Sequence, residues 1–544
     1  MNAAIARSRT THARRSPGEP RMPTVEPPYF PIIYVRGYAA TDGEIEDTVA
    51  TPYMGFNLGA TKSRQDHDGK INRFIFESPL LRLMKDEGYI DTYRDGDYVK
   101  GAAPARSVWV FRYYEPSSND LGDGKRRQMV AFATDLRRFI LSVRDKVCGD
   151  DPQARERFQV YLVAHSMGGL ISRCYLQNVC IHGSGDKARD EQLGLPGASL
   201  VDKVFTYGTP HNGIDIRGLN VPDLGLTRAL EADTFNRGDM ARYLAIDGQP
   251  ARVDTLDGHF PPERFFCCIG TNYNDYTAFF GLARKGTGPM SDGLVMIGNA
   301  AVSGAPRAFV HRSHSGAYGL VNSEEGYQNL RRFLFGQFRV DARLVIDAIT
   351  LPPAIEKAVG GATGRHRVNA AYYIETEAAV RGARYFLHQR RFDQSSALMK
   401  NYDELVHGHD PLYLFTGYLH EGAKMPESHD RALAFQLRLA IQVPAYEIDN
   451  AFWFDEHYPG DYIFDETLTF EIRPRQTPLS ISYGLASRHA PRRAPKKIAS
   501  DDLTIAADGS LHFEIALGFD RQSANPPAPG FSGRLQISAS PWNG

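Results

Sequence analysis

The sequence predicts a mostly parallel α/β domain followed by an antiparallel β-sandwich. Three observations carry that prediction. Short β-branched and aromatic runs alternate with helical stretches through about residue 338, the pattern of parallel strands connected by helices. One of those strands, Val160 to Ala164, reaches a serine among small residues and leaves as an apolar helix, Leu170 to Leu176. Beyond Val340 the hydrophobic period falls to two: Phe435, Leu437, Leu439, Ile441 and Val443 alternate with Gln436, Arg438, Ala440 and Gln442, as on a sheet with one face buried.

In chain order, 1–28 is expected to be a disordered basic tail, with Arg7, Arg9, Arg14, Arg15 and Arg21 and a Pro-rich end. It has no apolar h-region, so a secretory or twin-arginine signal is not expected despite Arg14-Arg15, and Met22 is an alternative start. Order begins at Tyr29-Phe30-Pro31-Ile32-Ile33-Tyr34-Val35. A long segment follows in which Ser78 reads as an N-cap, Pro79 as a first helical residue and Gly88 as a stop. Ser107 to Tyr114 is strand-like. Arg127 to Val147 places Met129, Phe132, Leu136, Phe139, Ile140, Val143 and Val147 on one helical stripe. Val201 to Tyr207, Phe265 to Ile269 and Ala308 to Val310 read as strands, 220–247 as helix with polar breaks, and Glu324 to Phe335 as a closing helix. Leu468, Phe470 and Ile472 repeat the period of two, as do Leu511, Phe513, Ile515 and Leu517 after an Asp508-Gly509 hairpin turn. The expected domains are 29–338, with insertions at about 41–104 and 214–262, and a β-sandwich over 339–544 whose role the sequence does not specify.

With 544 residues, 42% apolar and 23% charged, the chain is long enough for two or three cores. A net charge of −1 supplies no electrostatic reason for nucleic acid or an anionic membrane as partner. No apolar run approaches the roughly 20 residues of a membrane helix, and the expected location is cytoplasmic. Cys148, Cys174, Cys180, Cys267 and Cys268 form neither a disulfide framework nor a zinc spacing, so no metal and no cofactor are expected. Cys267 and Cys268, adjacent in a strand, should point to opposite faces.

The serine stands in Ala164-His165-Ser166-Met167-Gly168, with Gly169 behind it. Small neighbours let a strand and a helix close on a strained corner that lifts the side chain above the sheet edge. In this Ala-x-Ser-x-Gly form the stretch resembles the nucleophile elbow of α/β-hydrolases. Ser291-Asp292-Gly293-Leu294-Val295 resembles the acid-bearing segment of bacterial lipases. Thr209-Pro210-His211-Asn212-Gly213 is similar to a stretch of those lipases and of the inositol-deacylase-like esterases that process glycosylphosphatidylinositol. The resemblance spans about 30–336 and leaves the β-rich remainder outside.

A serine hydroxyl needs a base, and the base an orienter. The resemblance implies the order Ser, acid, His, with Ser166 as nucleophile. Asp292 is the preferred acid, and Asp275, nearer the strand end, is its competitor. His314, in a Ser- and Gly-containing loop that can swing toward the serine, is the preferred base over His311, which abuts the strand. The N–H of Met167, at a helix N-terminus, is expected to bind the oxyanion, with a second donor from Gly37 or Tyr38. Lipases often show His-Gly at that loop. Here Arg36-Gly37 keeps the backbone donor and loses the histidine's side-chain role. His165 falls on the variable position of the elbow.

The expected activity is metal-independent cleavage of carboxylic esters, of a lipid or another small molecule with an apolar acyl group, through an acyl-enzyme. The two insertions are candidates for an acyl pocket and for a lid making peripheral contact with lipid. Acyl transfer to an alcohol is the alternative within the fold. A non-catalytic binding or adaptor protein is the alternative outside it, and the altered Arg36-Gly37 loop is the feature in its favour. The sequence does not set the oligomeric state.

Overall fold

The computed structural model describes residues 25–39, 42–65, 70–94, 97–216, 219–220, 232–248, 250–276, 287–360, 367–380, 383, 385–408, 410–423, 433–449, 456–473, 480–487, 496–498, 503–507, 509–518 and 530–543. Its central sheet comprises β1 (Ile32–Val35), β2 (Ile90–Asp91), β3 (Ser107–Phe111), β4 (Val160–His165), β5 (Val201–Tyr207), β6 (Phe265–Gly270) and β7 (Arg307–Val310). The seven strands lie in the order β7-β6-β5-β4-β1-β3-β2, and every pairing is parallel. Helices cover both faces, which explains why these strands read as unbroken apolar runs. Ile32 through Val35 are all buried, and so are the neighbours Cys267 and Cys268 on opposite faces of β6.

Local chemistry sets the helix ends. In α1 (Pro79–Glu87) the Ser78 hydroxyl accepts the Leu81 N–H at 3.0 Å, Pro79 opens the first turn and Gly88 ends it at φ 68°. α2 (Met129–Cys148) buries Met129, Phe132, Leu136, Ile140, Val143 and Val147 against the sheet. α3 (Met167–Cys174) continues β4 across the corner at Ser166. α4 (Arg237–Tyr243) lies within the second insertion, and α5 (Glu324–Phe335) follows β7.

Three sequence expectations change in detail. β2 lies inside 41–104 and pairs with β3, so that stretch supplies a sheet edge besides the helix Asp42–Val49 and the hairpin Ala60–Gln65 with Ile71–Phe76. Within 220–247 the described helical residues are the turn Ala232–Phe235 and α4; 221–231 lie outside the described residues. Packed chain begins before Tyr29, because Val25 is buried and the Tyr161 hydroxyl donates to the Pro28 carbonyl at 2.7 Å. Residues 1–24 of the expected tail are outside the described chain.

The remainder is antiparallel. β8 (Phe338–Thr350), β9 (Arg367–Val380), β10 (Leu412–Leu419), β11 (Leu433–Gln442), β12 (Tyr462–Arg473), β13 (Ser480–Ser487), β14 (Leu511–Gly518) and β15 (Gly530–Pro541) are its main strands. One sheet runs β10-β8-β15-β14 and ends in Thr504–Ile505; the other is built on β9-β11-β12-β13. Their inner faces share one core, with Leu437, Leu439, Ile441 and Phe470 from one sheet and Leu344, Phe513, Leu535 and Ile537 from the other. Gly509, at φ 80°, turns the hairpin into β14, while Asp508 lies outside the described residues. The architecture is that of an α/β-hydrolase followed by an antiparallel β-rich domain. Among the described residues no helix is long and apolar enough to cross a membrane.

Candidate active site

In a parallel sheet all strands end on one edge, where the helix N-termini also begin. Ser166 stands there at φ 52° and ψ −124°, a conformation that costs an L-residue about 1–3 kcal/mol unless its surroundings enforce it. They do so here. The Ser166 N–H donates to the Tyr207 carbonyl at 2.9 Å, and the Thr209 hydroxyl donates to the Ser166 carbonyl at 2.8 Å. A Cβ on Gly168 would strike the Val35 carbonyl, and one on Gly169 would strike the Thr209 side chain. The small residues after the serine are therefore demanded by the approach of β1 and of the loop after β5.

Asp292 and His314 converge on this corner. His314 Nε2 lies 3.0 Å from Ser166 Oγ, and its Nδ1 lies 2.8 Å from Asp292 Oδ2. The second carboxylate oxygen, Oδ1, accepts the N–H groups of Leu294 at 3.0 Å and Val295 at 2.8 Å. The His314 N–H also donates to the Asp292 carbonyl at 2.9 Å, so the two residues are tied through backbone as well as side chain. An ionised carboxylate only accepts, which puts the imidazole proton on Nδ1 and leaves the Nε2 lone pair facing the serine hydroxyl. Ser166, Asp292 and His314 are 4%, 1% and 3% exposed, so this chain of bonds is screened from solvent. The Tyr276 ring stands edge-on to His314 with centroids 5.6 Å apart. The competitors make other contacts: the Asp275 carboxylate accepts the Asn272 amide at 2.6 Å, and His311 Nδ1 lies 3.5 Å from Thr271 Oγ1.

The expected anion donors also gather here. Met167 is the first residue of α3, where an N–H has no intrahelical partner and the helix dipole favours negative charge. Gly37 lies so close that a Cβ on it would come within 2.9 Å of Ser166 Cβ and 3.0 Å of His165 Nδ1. The Tyr113 hydroxyl reaches the carbonyls of Arg36 at 2.9 Å and Gly37 at 3.0 Å, which pins the loop. Arg36 is tied down too, donating from Nε to the Met54 carbonyl at 3.0 Å. Tyr38 and Met167 border a cavity of about 600 Å³ whose walls include Ile45, Met129 and Phe132. Both insertions reach it, the first through Ile45 and the second through Thr234, Asp239, Arg242 and Tyr243.

Two contributors escaped the sequence reading. His165 Nε2 lies 2.9 Å from the His314 carbonyl, and since a carbonyl only accepts, Nε2 carries the proton. The two imidazole centroids are 5.0 Å apart. Desolvation, reinforced by His314 and opposed by that hydrogen bond, pushes the His165 pKa down to about 3, so the ring is neutral near pH 7. The one signal in the sequence is a polar ring at the last position of an otherwise apolar strand. Asn212 is the other: it accepts the Val253 N–H at 2.8 Å and donates to Asn299 Oδ1 at 2.9 Å, linking the loop after β5 to the second insertion.

No protein-family model matches the chain, and no curated protein matches its sequence. Among solved structures, the product of gene lin2722 from Listeria innocua aligns over 56% of this chain and 93% of its own length, at 14% identity and a TM-score of 0.23. Phospholipase PlaB from Legionella pneumophila aligns over 79% of this chain and 90% of its own, at 14% identity and a TM-score of 0.27. Likeness at that level says nothing about activity.

Proposed function

We propose that the protein is a serine hydrolase that cleaves carboxylic esters bearing an apolar acyl group. One observation carries the reading: the buried series Ser166 Oγ, His314 Nε2 and Asp292 Oδ2, spaced at 3.0 and 2.8 Å on a strained strand-to-helix corner. Ser166 Oγ attacks the acyl carbonyl carbon while its proton passes to His314 Nε2. Asp292 stabilises the imidazolium through Nδ1–H, and the Leu294 and Val295 N–H groups hold that carboxylate in place. The oxyanion takes the Met167 N–H and a second donor from Gly37 or Tyr38, each worth about 3 kcal/mol when desolvated. His314 then protonates the departing alcohol oxygen as the C–O bond breaks. Water repeats the sequence on the acyl-serine and releases the acid. The cavity beside Met167 and Tyr38 receives the acyl group, and its walls come from both insertions.

Covalent labelling with a fluorophosphonate, followed by peptide mapping, tests the reading. The adduct is expected on Ser166, and an ester series of graded acyl length should show turnover that grows with chain length until the cavity is filled. An adduct on another serine, or a folded protein that neither labels nor turns over esters, overturns it.

A further inference from the structure

The cavity beside Met167 has two kinds of wall. Ile45, Met129, Phe132 and Met167 are buried and apolar, whereas Arg126, Arg127 and Arg242 reach solvent at its mouth. Arg242 is neutralised by Asp239 on the same helix, the one carboxylate among the described lining residues. Arg127 instead meets Asp123 at 3.6 Å, a carboxylate outside the cavity that is 51% exposed, and Arg126 counts the exposed Asp42, at 3.4 Å, among its partners. The Arg127–Asp123 pair is of the surface kind, weak and screened by salt, so it yields readily to a better-placed anion. Two of the lining residues, Arg127 and Ser117, each carry a buried atom, Nε and Oγ, with no hydrogen-bond partner among the described residues. A buried donor without an acceptor is costly, and charged acceptors satisfy it best. An acyl chain brings no acceptor to either atom; an anionic oxygen group serves both.

We infer that the mouth of this cavity is a subsite for an anionic group, a phosphate or a carboxylate, carried by the ester substrate. The inference rests on the reading of Ser166 as nucleophile and narrows its substrate to amphiphiles. The apolar acyl part lies along the Ile45, Met129 and Phe132 wall, and Arg126, Arg127 and Ser117 hold the charge. Arg127 is the central contact, because its guanidinium combines the fixed positive charge with the unpartnered Nε–H.

The test uses three soluble esters with one acyl chain: octanoyl glycerol, octanoyl glycerol phosphate and octanoyl glycerate. For each protein the ratio of kcat/KM on an anionic ester to that on the neutral one is measured, a quantity independent of the fraction folded. The wild-type ratio is expected to be about tenfold or more, carried by KM. Arg126→Gln with Arg127→Gln should bring it close to one, and Arg127→Lys should retain part of it. An advantage confined to the phosphate ester assigns a phosphate group, and one shared by the glycerate ester assigns any carboxylate-sized anion. A wild-type ratio near one, or a ratio unchanged in the double variant, overturns the subsite. Calorimetric binding of the same esters to Ser166→Ala separates the two readings. Tighter binding of the anionic esters without wild-type turnover would sink the hydrolase and leave the subsite standing; equal binding of all three would sink the subsite.

Discussion

Where its strands end, the central sheet holds Ser166, His314, Asp292 and His165. Where they begin, it holds Lys203, fully buried against the far end of the chain. The Lys203 amine donates to the Leu334 carbonyl at 3.1 Å and to Asn543 Oδ1, and sits 4.8 Å from the centre of the Trp542 ring. Asn543 in turn donates to the carbonyls of Leu334 and Gly336 at 2.9 Å each, and Trp542 Nε1 to that of Phe333 at 2.6 Å. Nearby, Arg331 bonds Glu87 and the Gly422 carbonyl, and His420 Nε2 lies 3.2 Å from the same Glu87 carboxylate. Both edges bury polar groups in chains of hydrogen bonds. The difference lies in what can move. At the strand starts the donors and acceptors join two domains, and shifting a proton there would only break a bond. At the strand ends one proton can pass between Ser166 Oγ and His314 Nε2 while every other bond stays in place. In the proposed hydrolase, reactivity comes from that freedom and from the strained corner, and burial alone does not supply it.

The largest expected effect separates the two edges outright. Ser166→Ala should abolish fluorophosphonate labelling and lower kcat by on the order of 10⁶, with an unfolding free energy within about 1 kcal/mol of wild type. Lys203→Ala should do the reverse. Loss of its bonds and the cavity left behind should cost about 2–4 kcal/mol in urea unfolding, while the folded fraction labels at the wild-type rate. Next, His314→Ala and Asp292→Asn should each lower kcat by about 10⁴. His311→Ala and Asp275→Asn should stay within about threefold; a reversal in either pair in steady-state kinetics moves the proposed base or acid. A smaller effect is expected at His165. His165→Leu removes the donor to the His314 carbonyl and should cost about tenfold in kcat, and His165→Gln, which keeps an N–H, should recover most of it.

The smallest effects are read in stability against pH. The folded pKa of His165, about 3, lies below its ordinary 6.5. Between those values the unfolded chain binds a proton that the folded chain refuses, so stability falls as pH drops through that window. Burial pushes Lys203 down from 10.5 to about 7. Between pH 7 and 10.5 the unfolded chain keeps a proton that the folded one has lost, so this contribution rises with pH. Urea unfolding across pH should show His165→Gln flattening the acid limb and Lys203→Met the alkaline limb. If each variant changed the other's window, the two edges would not be independent.

Much of this is legible in the sequence. The parallel strands announced themselves as apolar runs because both of their faces are covered, and β11 and β12 announced themselves by alternation because one face is wet. Ser78, Pro79 and Gly88 marked both ends of α1, since caps act within one turn. Asp292 and Asp275 are not separable by local pattern. Both are polar residues of loops beyond β6, and only the folded chain shows which carboxylate is clamped by Leu294 and Val295 and meets His314. The strand β2 inside the first insertion was missed because two residues are too few to carry a period.

The sequence by itself determined the order of strands and helices, the change of architecture near residue 338 and the corner at Ser166. Each depends on residues a few positions apart, whose periodicity and size are printed in the chain. The tertiary structure alone decided that His165 supports the His314 loop, that Arg126, Arg127 and Ser117 share one cavity with Met167, and that Lys203 meets Asn543 across 340 residues. Those relations join side chains remote in sequence, and the loops that bring them together leave no local pattern from which the pairing could be read.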